Sequence, residues 1–253
     1  MTDTVTTPQP TPLRILLVGD NCLDVYWFGV VDRISPEAPV PVFQYKYAEQ
    51  HAGMAGNVSR NLETLGCEVT YVHKETATKT RLIDLRSKQQ VVRIDNDVTA
   101  PPLEFADLGN IDYNAVVVSD YNKGTITYEL IEQLIGTKLP VFIDTKKTDL
   151  KRFEGAWVKI NELEYSKITS ECKGLIVTRG ARGASVIHHS IECPAPEVEV
   201  ADVTGAGDTF LAAFAYQYLG TTNLVQSVRF AIDASAVTVQ HLGCYAPMLG
   251  EIE

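Results

Sequence analysis

Asp202-Val203-Thr204-Gly205-Ala206-Gly207-Asp208-Thr209-Phe210 stands directly ahead of a helical pattern. Two glycines and an alanine at a helix start leave backbone N–H groups uncovered, and the helix dipole favours an anion there. Asp208 adds a carboxylate beside that anion hole. This combination suits phosphoryl transfer. The amides of Gly205, Ala206 and Gly207 steady the moving phosphoryl group while the carboxylate accepts a hydroxyl proton. A Gly-rich turn with an acid in the first helical turn uses the same letters, so the string alone leaves both readings open. Two further strings stand at positions where ligands gather. Gly19-Asp20-Asn21-Cys22-Leu23-Asp24 follows an apolar run, and Gly53-Met54-Ala55-Gly56-Asn57 opens a helical pattern.

The elements that must carry these residues alternate. Apolar runs at Leu13 to Val18, Val69 to Val72, Ala115 to Val118, Val141 to Ile143 and Leu175 to Val177 read as strands, most of them ending in Asp, Ser or Thr. Helical spacing covers Ala55 to Leu65, Thr127 to Ile135, Ala206 to Tyr218 and Val225 to Gln240. That order predicts an α/β fold with a mostly parallel sheet and ligands at the carboxyl edge. The β-type stretches at 28–47 and 80–95 fit the alternation poorly and predict a separate small sheet, a lid. Residues 1–12 are rich in Thr and Pro and read as a disordered leader, with one domain over 13–253.

Composition narrows the partners. The 253 residues carry 22 basic and 32 acidic side chains, a net charge of −10, which disfavours nucleic acid as a partner. Mean hydropathy is −0.02, and no apolar run approaches the roughly 18 residues of a membrane span. Five scattered cysteines with no C-x-x-C pair, and no signal pattern at the N-terminus, lead us to expect a reducing, cytoplasmic setting.

In combination the motifs resemble the ribokinase-like (phosphofructokinase-B) sugar kinases. Asp24–Gly29, Arg33-Ile-Ser-Pro-Glu-Ala-Pro-Val-Pro41, Ser119–Gly124 and Asp144-Thr-Lys146 are similar to the heptose 7-phosphate kinases within that family. The resemblance runs from about Arg14 to Pro247. It implies a Rossmann-type three-layer sandwich with a β lid, and a homodimer formed through that lid. It implies ATP and Mg²⁺ as cofactors and leaves a monovalent-cation requirement open. Carried over by position, Asp208 is the general base and Gly205, Ala206 and Gly207 are the anion hole. Asp20, Asp24, Gly53 and Asn57 hold sugar hydroxyls, each of which both donates and accepts. Asn161 and Glu164 match an N-x-x-E motif that orders Mg²⁺ and phosphate, with Glu164 toward the metal. Thr178, Gly180 and Gly183 stand at the nucleotide, with Lys146. A phosphate on the sugar calls for one or two cations, for which Arg33 and Lys123 are the candidates inside specific strings. Lys79, Arg81, Arg86 and Arg93 read more simply as surface charges.

The chain is short for this family. Val72 runs almost directly into Thr78, and only Tyr165 to Lys173 separates Glu164 from the next strand, where the family places further helices. The outer layer is therefore expected to be truncated, leaving a sheet face or edge bare. The length also leaves no room for the adenylyltransferase often fused to such kinases. Two other readings remain: a kinase for a different sugar or nucleoside, and a catalytically weak sugar-phosphate-binding or regulatory protein.

Overall fold

The structure, a computed structural model, describes residues 11–252. Most of the expected leader, residues 1–10, lies outside them. The chain begins with β1 (Arg14–Gly19), buried from Ile15 onward, then β2 (Asn21–Ile34) and β3 (Pro41–Met54). Helix α1 (Ala55–Thr64) leads to β4 (Glu68–Val72), β5 (Thr76–Asp84) and β6 (Gln90–Asn96). The βα units follow as β7 (Ala115–Asp120), α2 (Tyr128–Gly136), β8 (Val141–Thr145), β9 (Trp157–Asn161), the single turn α3 (Glu162–Tyr165) and β10 (Leu175–Thr178). Short β11 (Ala184–Val186) and β12 (Ile191–Cys193) precede the long helices α4 (Ala206–Thr221) and α5 (Leu224–Val239).

Eight strands form one sheet in the order β12-β11-β10-β9-β8-β7-β1-β4. From β4 through β10 every pairing is parallel, and β11 and β12 close one edge antiparallel. Side chains alternate across each strand, so β1 sends Ile15 and Leu17 to one core and Leu16 and Val18 to the other. The first core packs Val58 and Leu62 of α1, Phe210 and Phe214 of α4, and Val228 of α5. The second packs Leu130, Ile131 and Leu134 of α2 with Phe153. This is a three-layer α/β sandwich. Because the strands run parallel, Gly19, Asp120, Asp144, Asn161 and Thr178 all end at one edge.

The thinned outer layer does not leave the central strands bare. Leu103 and Leu108 from the connection after β6, Leu150 and Phe153 from a 3₁₀ turn, and Cys172 cover the second face, so Leu16, Val18, Val116 and Val118 are fully buried. The edge strands β4 and β12 stay partly exposed. Strand β9 escaped the sequence reading because Lys159 interrupts its apolar run.

A separate four-stranded sheet, β3-β2-β5-β6, pairs β2 with β5 in parallel and the outer strands antiparallel. It spans residues 21–54 and 76–96, wider than the 28–47 and 80–95 expected. One face turns Asp24, Tyr26 and Arg81 together. The other carries Trp27, Tyr45, Val92 and Ile94, all exposed, with Trp27 edge-on to Tyr45 at 5.9 Å.

Gly19 sits where β1 meets α1. A Cβ there would lie 2.5 Å from the Ser119 carbonyl oxygen and 2.6 Å from the Ala55 Cβ. Gly19→Ala must therefore push α1 or β7 aside, an overpacking cost of about 1–3 kcal/mol. We expect a lower urea midpoint at unchanged slope; an unchanged midpoint would show that this junction has slack.

Candidate active site

Gly205 adopts φ +82° as the residue before α4, and a Cβ there would meet Asn57 Nδ2 at 2.8 Å. This left-handed turn lets the chain enter the helix close against α1. Asp208 then stands in the first turn, only 6% exposed. Its Oδ2 accepts from Asn57 Nδ2 and its Oδ1 from the Tyr121 hydroxyl, both at 2.9 Å. Burial, aided by the nearby Asp144 carboxylate, pushes Asp208 up to about 6, while Asn57, Lys159 and Tyr121 pull it down. A carboxylate with that pKa is mostly ionised at neutral pH and basic enough to take a hydroxyl proton.

Beside Asp208 opens a polar cleft of about 180 Å³, lined by Gly205, Gly207, Asp144, Lys146, Lys159, Asn161 and Glu164 among others. Lys159, 5% exposed, donates to Asp144 Oδ2 at 2.7 Å. A Cβ on Gly207 would lie 2.8 Å from Lys159 Nζ, so the ammonium faces the bare helix start. Burial opposes the charge on Lys159, but Asp144, Asp208 and Glu164 together hold the pKa above the ordinary lysine value. Asn161 and Glu164 form a reciprocal cap on α3, with Asn161 N to Glu164 Oε2 at 2.8 Å and Glu164 N to Asn161 Oδ1 at 2.9 Å. Lys146 lays its ammonium 4.8 Å from the centre of the Tyr121 ring. Past Gly207 a second, apolar cleft of about 370 Å³ runs between Thr178, Gly180 and Gly183 on one side and Ala206, Phe210, Ile232 and Val239 on the other.

Asp20 follows β1, and Asp24 and Gly53 stand on β2 and β3. Asp20 is buried, and its Oδ2 accepts from the backbone N of Tyr121 at 2.8 Å and of Lys123 at 3.1 Å. Its Oδ1 is buried with no partner, an acceptor waiting for a donor such as a hydroxyl. Asp24 is ion-paired with Arg81, which also lies over the Tyr26 ring. The Asp24 carboxylate presses on Gly53, where a Cβ would sit 2.2 Å from Oδ2. Met54 follows at φ +51°, a conformation that costs a non-glycine residue about 1–3 kcal/mol.

Gly205, Gly207, Asp208, Lys146, Asn161 and Glu164 thus meet in one cleft. Ala206, Thr178, Gly180 and Gly183 line its apolar continuation. Asn57 joins the site by donating to Asp208, Asp20 through Tyr121, and Asp24 and Gly53 pack against each other where β2 meets β3. Two expectations change. Arg33 is exposed near the outer end of β2, twelve residues beyond Asn21 or roughly 40 Å of extended strand, and does not join this group. Lys123 reaches the site through its backbone, while its ammonium pairs with Asp97 at 3.1 Å. Lys159 and Tyr121 were missed as site residues. A lone lysine inside an apolar strand was the available signal for the first; the second stood inside the Ser119–Gly124 string, which was read only for Lys123.

Residues 154–250 match the pfkB family carbohydrate kinase model. The Bifunctional protein HldE of Nitratiruptor sp. is 34% identical over 299 residues, covering 95% of this chain and 64% of that protein. That of Hydrogenovibrio crunogenus is 31% identical over 297 residues, covering 95% and 62%. Over most of its length this chain is similar to proteins with a carbohydrate kinase domain of the pfkB family. It spans less than two thirds of the length of these curated relatives. The aligned lengths exceed this chain's 253 residues, so the relatives contain segments that this chain lacks. The fold agrees. Methanocaldococcus jannaschii nucleoside kinase, an archaeal member of the ribokinase family, superposes with a TM-score of 0.67 at 17% identity, over 96% of this chain and 98% of that one. Escherichia coli phosphofructokinase-2, in complex with potassium, gives 0.67 at 17%, over 94% and 96%.

The raised pKa of Asp208 makes a stability statement. The folded form binds the proton more tightly than the unfolded chain, whose carboxyl titrates near 3.8. The associated stability is fully present below pH 3.8 and is lost as pH rises through about 6. Asp208→Asn removes the buried charge, so it should stabilise the domain by about 2–3 kcal/mol above pH 6 and by little near pH 4. Thermal melts of both proteins across that range check it; a pH-independent difference would be the contrary result.

Proposed function

We propose that this chain is an ATP-dependent sugar kinase whose acceptor is heptose 7-phosphate or a similar sugar phosphate, phosphorylated at O1. The observation that carries the reading is Asp208, a buried carboxylate that lines a phosphate-sized polar cleft and accepts from Tyr121, whose backbone donates to the buried Asp20. The similarity to the pfkB family model and to the HldE proteins supports its sugar-kinase part.

The cofactors fit the residues present. The apolar cleft suits a purine nucleoside, and the missing side chains at Gly205 and Gly207 leave room for phosphate against the helix start. Among the described residues no group of three or more His, Cys, Asp and Glu side chains could hold a metal. That is compatible with Mg²⁺, which keeps several waters and arrives largely on phosphates, with Glu164 holding it through water. Bound ATP with Mg²⁺ supplies the phosphoryl group. The chain does the rest. Asp20, Asp24 and Asn57 orient the sugar, and Asp208 takes the proton from the attacking hydroxyl as its oxygen bonds to phosphorus. Lys159 and the Gly205–Gly207 amides stabilise charge on the transferred group. The acceptor's own phosphate has Lys79, Arg81 and Lys123 within the second sheet and its neighbouring loop.

The test is ADP formation with heptose 7-phosphate, fructose phosphates, ribose and adenosine side by side, with and without K⁺. We expect turnover on a sugar phosphate and a fall of about 10²–10⁴-fold in kcat for Asp208→Asn, with little change in acceptor binding. Near-normal kcat in that variant would overturn the general-base role. No turnover on any acceptor would favour a binding protein.

The same reading includes a homodimer through the second sheet, which acts as a lid and whose exposed Trp27, Tyr45, Val92 and Ile94 form an apolar face. All five thiols are unpaired, as a cytoplasmic protein would have them. Light scattering at micromolar concentration should give twice the chain mass, and Ile94→Lys with Trp27→Ser should give the monomer. A monomeric wild type would remove the dimer.

A further inference from the structure

Tyr121 touches both halves of the acceptor site. Its hydroxyl donates to Asp208 Oδ1 at 2.9 Å, and its backbone N donates to Asp20 Oδ2 at 2.8 Å. Its ring packs against the buried Cys22, Met54 and Ala77 at the root of the second sheet, and Lys146 covers it at 4.8 Å. The ring is therefore clamped, so the hydroxyl has one place to point.

We propose that Tyr121 is a positioning residue for the base, fixing the orientation of the Asp208 carboxylate and setting the pH at which it becomes able to accept a proton. This rests on the kinase reading above for its catalytic part only.

The carboxylate needs such a fixed donor. Each of its oxygens takes one protein hydrogen bond, from Asn57 at Oδ2 and Tyr121 at Oδ1, and retains a lone pair for a substrate hydroxyl. Without the phenol, Oδ1 would be a buried charged atom with no donor, and the side chain could turn about its last bond. The other groups that face Asp208 do not replace the donor. Asp144 on β8 repels its charge, Lys159 on β9 is engaged with Asp144, and Cys244, on the loop after α5, is a weak donor. Tyr121 itself is held well above its ordinary pKa, first by burial and then by Asp208, so it stays an O–H donor throughout the working range. A hydrogen bond to a charged group favours the charged form, so losing it must raise the pH at which Asp208 ionises.

The experiment uses the full chain labelled with ¹³Cγ-aspartate. The Asp208 resonance is assigned by its loss in Asp208→Asn, and its titration is followed in the wild type and in Tyr121→Phe. We expect the midpoint in Tyr121→Phe to rise by about one pH unit. On whichever acceptor the panel identifies, the acid limb of kcat should move up with it, lowering turnover at pH 6 by about fivefold while KM for the acceptor stays within about twofold. A midpoint and acid limb that coincide with wild type would overturn the proposal. Placing 3,5-difluorotyrosine at position 121 strengthens the donor and should move the midpoint down. Opposite shifts from the two replacements are an outcome that mere packing would not produce, and the second arm still decides if the phenylalanine variant does not fold. If the wild type turns over no acceptor, the kinase reading fails, while the carboxyl titration still decides whether Tyr121 controls Asp208.

Discussion

A carboxylate held almost wholly out of water at the start of α4 governs the layout of this cleft. Desolvating it is unfavourable unless donors reach it, and the fold brings two from distant parts of the chain. Asn57 comes from α1 and Tyr121 from the turn after β7, so three elements must agree in position to a few tenths of an ångström. Buried polar contacts continue the constraint into the first core. Asn61 donates to the Asn57 carbonyl, Thr209 donates to Asn61, and Thr238 of α5 donates to Thr209. The helices on this side of the sheet are thus fixed by directional contacts as well as by apolar packing, which tolerates sliding in a way that hydrogen bonds do not.

The parts of the site written as contiguous strings were legible in the sequence. Gly205 to Asp208 and the Gly53 to Asn57 turn carry their geometry locally, through bare backbone at helix starts. The parallel strands were legible because both faces are buried and their runs are apolar without alternation. What could not be read depends on pairing across the fold. Lys159 acts only because β8 places Asp144 beside it, and Tyr121 only because its turn meets α4 from the other side of the cleft. Arg33 shows the opposite limit. Its string is specific, but a fourteen-residue strand carries it away from the cleft. Motif identity located the strand and said nothing of distance.

The shortened chain raises the question of how a thinner outer layer protects a parallel sheet. The connection from β6 to β7 supplies Leu103 and Leu108, and a single turn after β8 supplies Leu150 and Phe153. Irregular segments do the work that a full helix would do, because burial depends on apolar area removed from water and not on the backbone conformation that delivers it. Their polar groups still need partners. Leu103 N bonds the Thr125 carbonyl, Ala100 N the Lys123 carbonyl, and Thr148 N and Asp149 N the Tyr128 hydroxyl.

Charge in the cleft follows the same economy. Asp144 with Lys159, Asp120 with Lys147, Asp24 with Arg81 and Asp97 with Lys123 are all paired before any ligand arrives. In an acidic protein, unpaired cations in a desolvated cleft would be expensive to bury, and mobile ones would have to be ordered on each binding event. Pairing removes both difficulties at the price of a weaker field on an incoming anion. The compensation is geometric. Lys159 cannot leave the helix start without abandoning Asp144, so its charge is already where a phosphoryl group would meet the amides of α4. The cleft therefore relies mainly on fixed, partly compensated charges, with Lys146 held against the Tyr121 ring, which reconciles a net charge of −10 with an architecture suited to phosphate.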